Sequence, residues 1–127
     1  MPKNIFPTLQ YRDAHAAIDW LERAFGFEGV NVHDGPDGTV AHAELRFGDG
    51  MIMVGSATHG EEGGFPDHTG QGWTYVVVED ADAHHDRAKA AGAEIVYELQ
   101  DQDYGSRDYS ARDPEGNLWS FGTYRPG

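Results

Sequence analysis

His42, Glu44 and Arg46 alternate with Ala43, Leu45 and Phe47. In a strand the three polar side chains share one face and the three apolar ones the other. An imidazole and a carboxylate two residues apart can ligate a divalent cation or exchange a proton, but a metal centre needs a third ligand. The other histidines do not supply it. His84 and His85 are neighbours in a helical stretch, where consecutive side chains diverge, and His59 and His68 lie in a glycine-rich connector. His15 falls off the apolar stripe of a helix, and His33 ends a strand. These six read as surface residues. His42 and Glu44 therefore read as part of a site or as a polar, salt-bridged wall. With no cysteine in the chain, thiolate chemistry, disulfides and cysteine-ligated zinc are excluded.

Around these residues the chain is organised by residues 107–121. Asp113, Pro114, Glu115 and Gly116 specify a tight turn: Asp113 accepts a local backbone hydrogen bond, Pro114 presets φ, and Gly116 supplies a left-handed residue. Ser106, Asp108 and Ser110 alternate with Arg107, Tyr109 and Ala111 before the turn, and Leu118, Ser120 and Gly122 with Trp119, Phe121 and Thr123 after it. A hairpin with one face on a core follows.

Ile5–Tyr11 reads as a strand and Ala14–Phe25 as a helix capped by Asp13, with Ala14, Ala17, Ile18, Leu21 and Phe25 on one stripe and Gly26 at its end. Strands are expected over 27–33, 39–47 and 51–55, with a turn at 34–38 and a hairpin at 48–50. After a polar connector the order repeats: strand 73–78, helix 80–92 with Asp80 at its start, strand 94–99 and the 107–121 hairpin. Asp13, Ala14, Ala16 and Asp19 superpose on Asp80, Ala81, Ala83 and Asp86, so an internal duplication is the best reading. The domain division is a first βαβββ module over 1–58, a connector over 59–71 and a second module over 72–127. Twenty-two acidic residues against nine basic give a net charge of −13, which disfavours nucleic acid, anionic membranes and anionic ligands. No apolar run approaches a membrane span and residues 1–5 lack a secretion-signal core, so a cytoplasmic protein is expected.

The stretch 13–27 resembles the first helix of the vicinal oxygen chelate superfamily, the glyoxalase, bleomycin-resistance and ring-cleaving dioxygenase group. Asp113–Pro114–Glu115–Gly116–Asn117 is similar to that group's turn signature, and 78–83 to its second helix start. The resemblance implies an α+β fold in which two βαβββ modules with curved mixed sheets enclose a cleft. Metal-dependent members place His or Glu on four of its strands. Carried over one at a time, those positions are Phe6, seven residues before Asp13; Met53, in the fourth strand; Trp73, immediately after Gly72; and Ser120, four residues after Gly116. None suits a hard divalent cation. Resemblance therefore implies no metal at the usual site and no cofactor.

Phe6, Met53, Trp73 and Tyr75 would instead make the cleft aromatic and soft, suited to a planar ligand, neutral or cationic. Thr8 and Gln10 share the Phe6 face, and with Ser120, His42 and either Arg107 or Tyr109 would orient it. Trp119 and Phe121 alternate away from Ser120 and belong in the helix-packed core with Ile52, Val54, Val76 and Val78. The expected function is metal-independent binding of a small molecule, as in the superfamily's antibiotic-sequestering members, which confer resistance by holding a drug unchanged. The alternative is a metal-dependent glyoxalase-, epimerase- or dioxygenase-like enzyme with an atypical site around His42 and Glu44. An accessory protein that masks a biosynthetic intermediate differs from resistance mainly in its ligand. The resemblance further implies a homodimer with clefts completed between subunits, and leaves open whether 55–72 closes over them.

Overall fold

A computed structural model of the chain describes residues 4–57 and 68–126. Most of the connector, and with it any lid over the cleft, falls outside the described residues. The first half consists of β1 (Thr8–Tyr11), α1 (Ala14–Phe25), β2 (Glu28–Asp34), β3 (Val40–Phe47) and β4 (Gly50–Ser56). The second consists of β5 (Trp73–Val77), α2 (Ala81–Ala90), β6 (Glu94–Asp101), β7 (Arg107–Arg112) and β8 (Leu118–Gly122). Each half forms one mixed four-stranded sheet, in the orders β1-β4-β3-β2 and β5-β8-β7-β6. In both, the strand preceding the helix pairs in parallel with the last strand, and the remaining pairs are antiparallel. The repeat read from the helix starts is thus a repeat of topology: an α+β fold of two βαβββ modules.

The helices begin and end for local reasons. Asp13 accepts from the Ala16 N–H at 3.1 Å and Asp80 from the Ala83 N–H at 3.0 Å, so each carboxylate satisfies an otherwise unpaired helix donor. Gly26 stops α1 at φ +87°, the left-handed region that glycine enters without steric cost. The α1 stripe is buried as its spacing requires, joined by Trp20, whose indole N–H donates to the Ala91 carbonyl of the other module. β1 starts three residues later than expected. Pro7 has no N–H to give a ladder, and Ile5 before it is exposed.

Both helices lie in one hydrophobic core shared by the two sheets. Leu9, Tyr11, Ala43, Leu45, Ile52 and Val54 enter it from the first sheet. Val76, Val78, Tyr109, Ala111, Trp119 and Phe121 enter from the second, as expected for Trp119 and Phe121. Phe25, at the end of α1, packs on Trp119 and Phe121 with ring centroids 5.6 and 4.7 Å apart. Since alternate residues of a strand point to opposite faces, the other side of each sheet faces away from this core.

The turn at 113–116 joins the modules. Gly116, at φ +97°, closes it with an N–H to the Asp113 carbonyl at 3.0 Å. Buried Asp113 Oδ1 accepts from the Glu115 and Asn117 N–H groups, and its Oδ2 from the Tyr11 hydroxyl at 2.5 Å and the Trp119 indole N–H at 3.1 Å. Glu115 reaches across to accept from the backbone N–H groups of Arg12 and Asp13 at 2.6 and 2.9 Å. Its carboxylate thereby sits at the positive end of the α1 dipole. Burial and the neighbouring Asp113 raise the Tyr11 phenol well above its ordinary value, which keeps it the donor of this pair.

Candidate functional site

The outward faces carry the polar and aromatic residues that could meet a ligand. On the second sheet, Tyr75 on β5 lies beside Ser120 on β8, which lies opposite Ser110 on β7. The Ser110 and Ser120 hydroxyls are 2.8 Å apart, and the Trp73 indole N–H donates to Ser120 Oγ at 3.1 Å. This bond fixes one edge of an indole that is otherwise 75% exposed. The Tyr75 hydroxyl donates to the Tyr124 carbonyl at 2.7 Å, bringing the C-terminal segment alongside the sheet. Burial, the largest influence, and the negative charge of Asp108 raise the Tyr75 phenol above its ordinary value. Trp73, Tyr75, Tyr104, Asp108, Ser110 and Ser120 together line a cavity of about 370 Å³.

On the first sheet, Thr8 on β1 pairs with Met53 on β4, which pairs with Glu44 on β3. His42 Nε2 lies 2.9 Å from Glu44 Oε2, and the Asn31 side-chain amide donates to Glu44 Oε1 at 3.0 Å. The Asn31 hydrogen bond, followed by that of His42, holds the Glu44 carboxyl below its ordinary value. Arg46 pairs with Glu28 across the strands at 3.0 Å. Gln10 accepts from the His68 backbone N–H at 2.7 Å, and Phe6, before β1, is partly exposed. Among the described residues no group of three histidine, aspartate or glutamate side chains is arranged to hold a metal ion. Nor do the phenyl, thioether, indole and hydroxyl groups of Phe6, Met53, Trp73 and Ser120 fit a hard divalent cation.

Of the expected site residues, the structure gathers Trp73, Tyr75 and Ser120 on one outward face and Thr8, Gln10, Met53 and His42 on the other. Among the described residues of one chain, no hydrogen bond or ring contact joins the two groups. Two expectations are corrected. Tyr109 is buried in the core, 1% exposed, and its hydroxyl meets His84 Nδ1 at 2.5 Å. Arg107 turns to α2 and β6, bound by Asp82 and Asp101. β7 therefore presents its other set, Asp108 and Ser110, outward. Counting from the turn would have found them: Arg112 opposes Leu118 and Ala111 opposes Trp119, which puts Ser110 opposite Ser120. Tyr104 precedes the strand and carries no such signal.

The histidine expectation is corrected too. His84 Nε2 donates to the Phe25 carbonyl at 2.8 Å, so its Nδ1 accepts from Tyr109, and its ring packs 4.2 Å from that of Phe121. Burial holds its pKa below the ordinary value. His85 is 7% exposed, edge-on to Tyr109, with Nδ1 near Asp86 and Nε2 near Glu98. Neighbouring helix positions do diverge, but α2 is flanked by α1 on one side and by β6 and β7 on another, so both directions are covered. His15, as expected, is exposed, and its Nε2 lies 2.9 Å from Asp34 Oδ1.

Fold and faces define a duplicated βαβββ protein whose parallel strand pairs carry the candidate site. Residues 6–121 match the model of the Glyoxalase/Bleomycin resistance protein/Dioxygenase superfamily, and the chain belongs to that superfamily. It is 38% identical to TioX from Micromonospora sp. ML1, with 98% of this chain and 100% of that one covered and a TM-score of 0.80. Over 121 residues it is 36% identical to the uncharacterized protein Rv0887c of Mycobacterium tuberculosis, covering 91% of this chain and 71% of that protein. A lactoylglutathione lyase from Agrobacterium tumefaciens, 23% identical, covers 96% of this chain and 94% of its own, with a TM-score of 0.68, a likeness of fold alone. No described helix is long and apolar enough to cross a membrane.

Proposed function

We propose that the chain binds a planar aromatic small molecule and holds it unchanged, as an antibiotic-sequestering or metabolite-masking protein. The observation that carries this reading is Trp73: a large indole, mostly exposed, with its orientation set by Ser120. An exposed indole costs solvation unless something covers it, and a fixed ring stacks with little further loss of rotamer freedom. Stacking a flat ligand on such a ring is worth about 1–3 kcal/mol by analogy with bases on aromatic platforms. Holding a ligand by mass action needs no nucleophile or base, which suits a pair of faces where His42 and Glu44 already engage each other.

The cleft belongs to a homodimer in this proposal. Each chain offers two outward faces bearing exposed Trp73 and partly exposed Phe6, and a second copy would bring the first-module face of one chain onto the second-module face of the other. Met53, Gln10 and His42 of one protomer would then join Trp73, Tyr75 and Ser120 of its partner.

Titration with planar aromatic drugs tests both parts. Binding of one class should quench tryptophan fluorescence, Trp73→Ala should weaken it about tenfold or more without lowering the urea midpoint, and the compound should be recovered chemically intact. Conversion of the compound, or stoichiometric divalent metal that His42→Ala removes, would overturn sequestration in favour of the enzymatic alternative.

A further inference from the structure

The second-module cavity holds a carboxylate among aromatic rings. Asp108 lies beside Gly122 in the sheet, and a Cβ at Gly122 would sit 2.8 Å from the Asp108 Cβ and 2.7 Å from the Tyr75 hydroxyl. Only glycine lets the tyrosine and the aspartate close in on that position. Gln102 donates to Asp108 Oδ1 at 2.9 Å, while Tyr104 and Ser106 stand 3.4 Å from Oδ2. Among the described residues, no lysine, arginine or histidine forms an ion pair with Asp108. Its neighbour Arg107 is committed to Asp82 and Asp101 on the opposite face.

Three aromatic side chains complete the surround. Trp73 and Tyr75 stand on β5, and Tyr104, 63% exposed, is braced edge-on against Tyr124 with centroids 5.4 Å apart. The faces of such rings attract cations, most strongly that of tryptophan. On the adjoining strands Ser110 and Ser120 share one hydrogen bond. Whichever donates, the other keeps a hydroxyl hydrogen for an acceptor on a ligand. Among the described residues, the cavity thus offers a carboxylate without a cationic partner, aromatic walls and one hydroxyl donor, in a chain of net charge −13.

Resting on the sequestration reading, we propose that this cavity receives a positively charged nitrogen of the ligand, an ammonium or amidinium group, on Asp108 between Trp73, Tyr75 and Tyr104. The ligand class is then a planar aromatic cation. Recognition divides between the rings, which hold the flat system, and Asp108, which selects for charge.

Calorimetric titration with two tricyclic dyes of similar shape tests this: proflavine, cationic near neutral pH, and acridine, neutral there. Proflavine should bind the wild-type protein about tenfold or more tighter than acridine. Asp108→Asn should remove most of that difference and leave acridine affinity within about twofold, since an amide keeps the shape but loses the charge. Tyr104→Leu, on an exposed side chain, should weaken proflavine several-fold with the urea midpoint unchanged. Raising the salt concentration should weaken proflavine but not acridine in the unmodified protein, a readout independent of how any variant folds. Equal binding of the two dyes, insensitive to salt and to Asp108→Asn, would overturn the charge assignment and leave sequestration standing. If neither dye binds, while other planar drugs quench Trp73, the assignment also fails; if no planar compound binds, both readings fail.

Discussion

Asp113 spends both carboxylate oxygens on four donors, two within its own turn and two from the buried Tyr11 and Trp119 side chains. Removing it leaves buried donors unpaired, and each such loss costs about 1–3 kcal/mol. Asp113→Ala should therefore lower the unfolding free energy by about 3 kcal/mol or more in urea titrations, whereas Tyr11→Phe, which removes only one donor, should cost about 1–2 kcal/mol. A loss below about 1 kcal/mol for Asp113→Ala would mean the turn is not the joint described. His84 gives a prediction in pH. Its folded pKa is lowered by burial, so the unfolded chain binds more protons as pH falls through the ordinary histidine value near 6.5. Stability should be unaffected by this group above that value, and should fall as the solution is acidified below it, until the folded pKa is passed. His84→Asn should flatten the slope of the urea midpoint between about pH 7 and 5, where ordinary carboxylates contribute little.

At the scale of the element, the end of α1 depends on the helix of the other module. Arg87 on α2 donates from Nε to the Arg23 carbonyl and from Nη2 to the Glu22 carbonyl, both at 3.0 Å, meeting acceptors that a helix C-terminus leaves without partners. Its positive charge also complements the negative end of the α1 dipole. Arg87→Ala should destabilise the protein by about 1–2 kcal/mol, and Arg87→Lys should recover only part of this, because a single ammonium cannot reproduce the planar fork. Gly26→Ala should be comparably harmful: a methyl group there is strained at φ +87° and lies 3.1 Å from Arg87 Nη1. Thermal or urea unfolding of the three variants measures these effects.

For the whole molecule, one core serves both modules while two faces remain outward. If those faces meet in a dimer, sedimentation equilibrium should give twice the 14.0 kDa chain mass, and titration should give one ligand per chain. A monomer that binds planar drugs with wild-type affinity would overturn the shared cleft. Such a cleft places residues of both protomers on one ligand, so Met53→Lys should weaken binding although Met53 and Trp73 belong to different modules. Equilibrium dialysis against the drug identified by fluorescence checks this.

The sequence by itself determined what depends on neighbours along the chain. Alternation sorted Trp119 and Phe121 from Ser120, three-and-four spacing buried Ala14 through Phe25 on one side, and Asp13, Asp80, Gly26 and Gly116 marked their caps and turn because backbone hydrogen bonding and φ are local matters. The tertiary structure decided which of two alternating sets faces the core. Arg107 and Tyr109 read as plausible ligand contacts, yet α2 supplies Asp82 and His84 to meet them, and no spacing within the strand encodes the helix that will cover it. It also decided that His84 and His85 are enclosed and that Glu115 caps the first helix from a hundred residues away. Alternation carries a period but no sign; the sign comes from packing, where burying Tyr109 and Ala111 removes more apolar surface from water than burying Asp108 and Ser110 would.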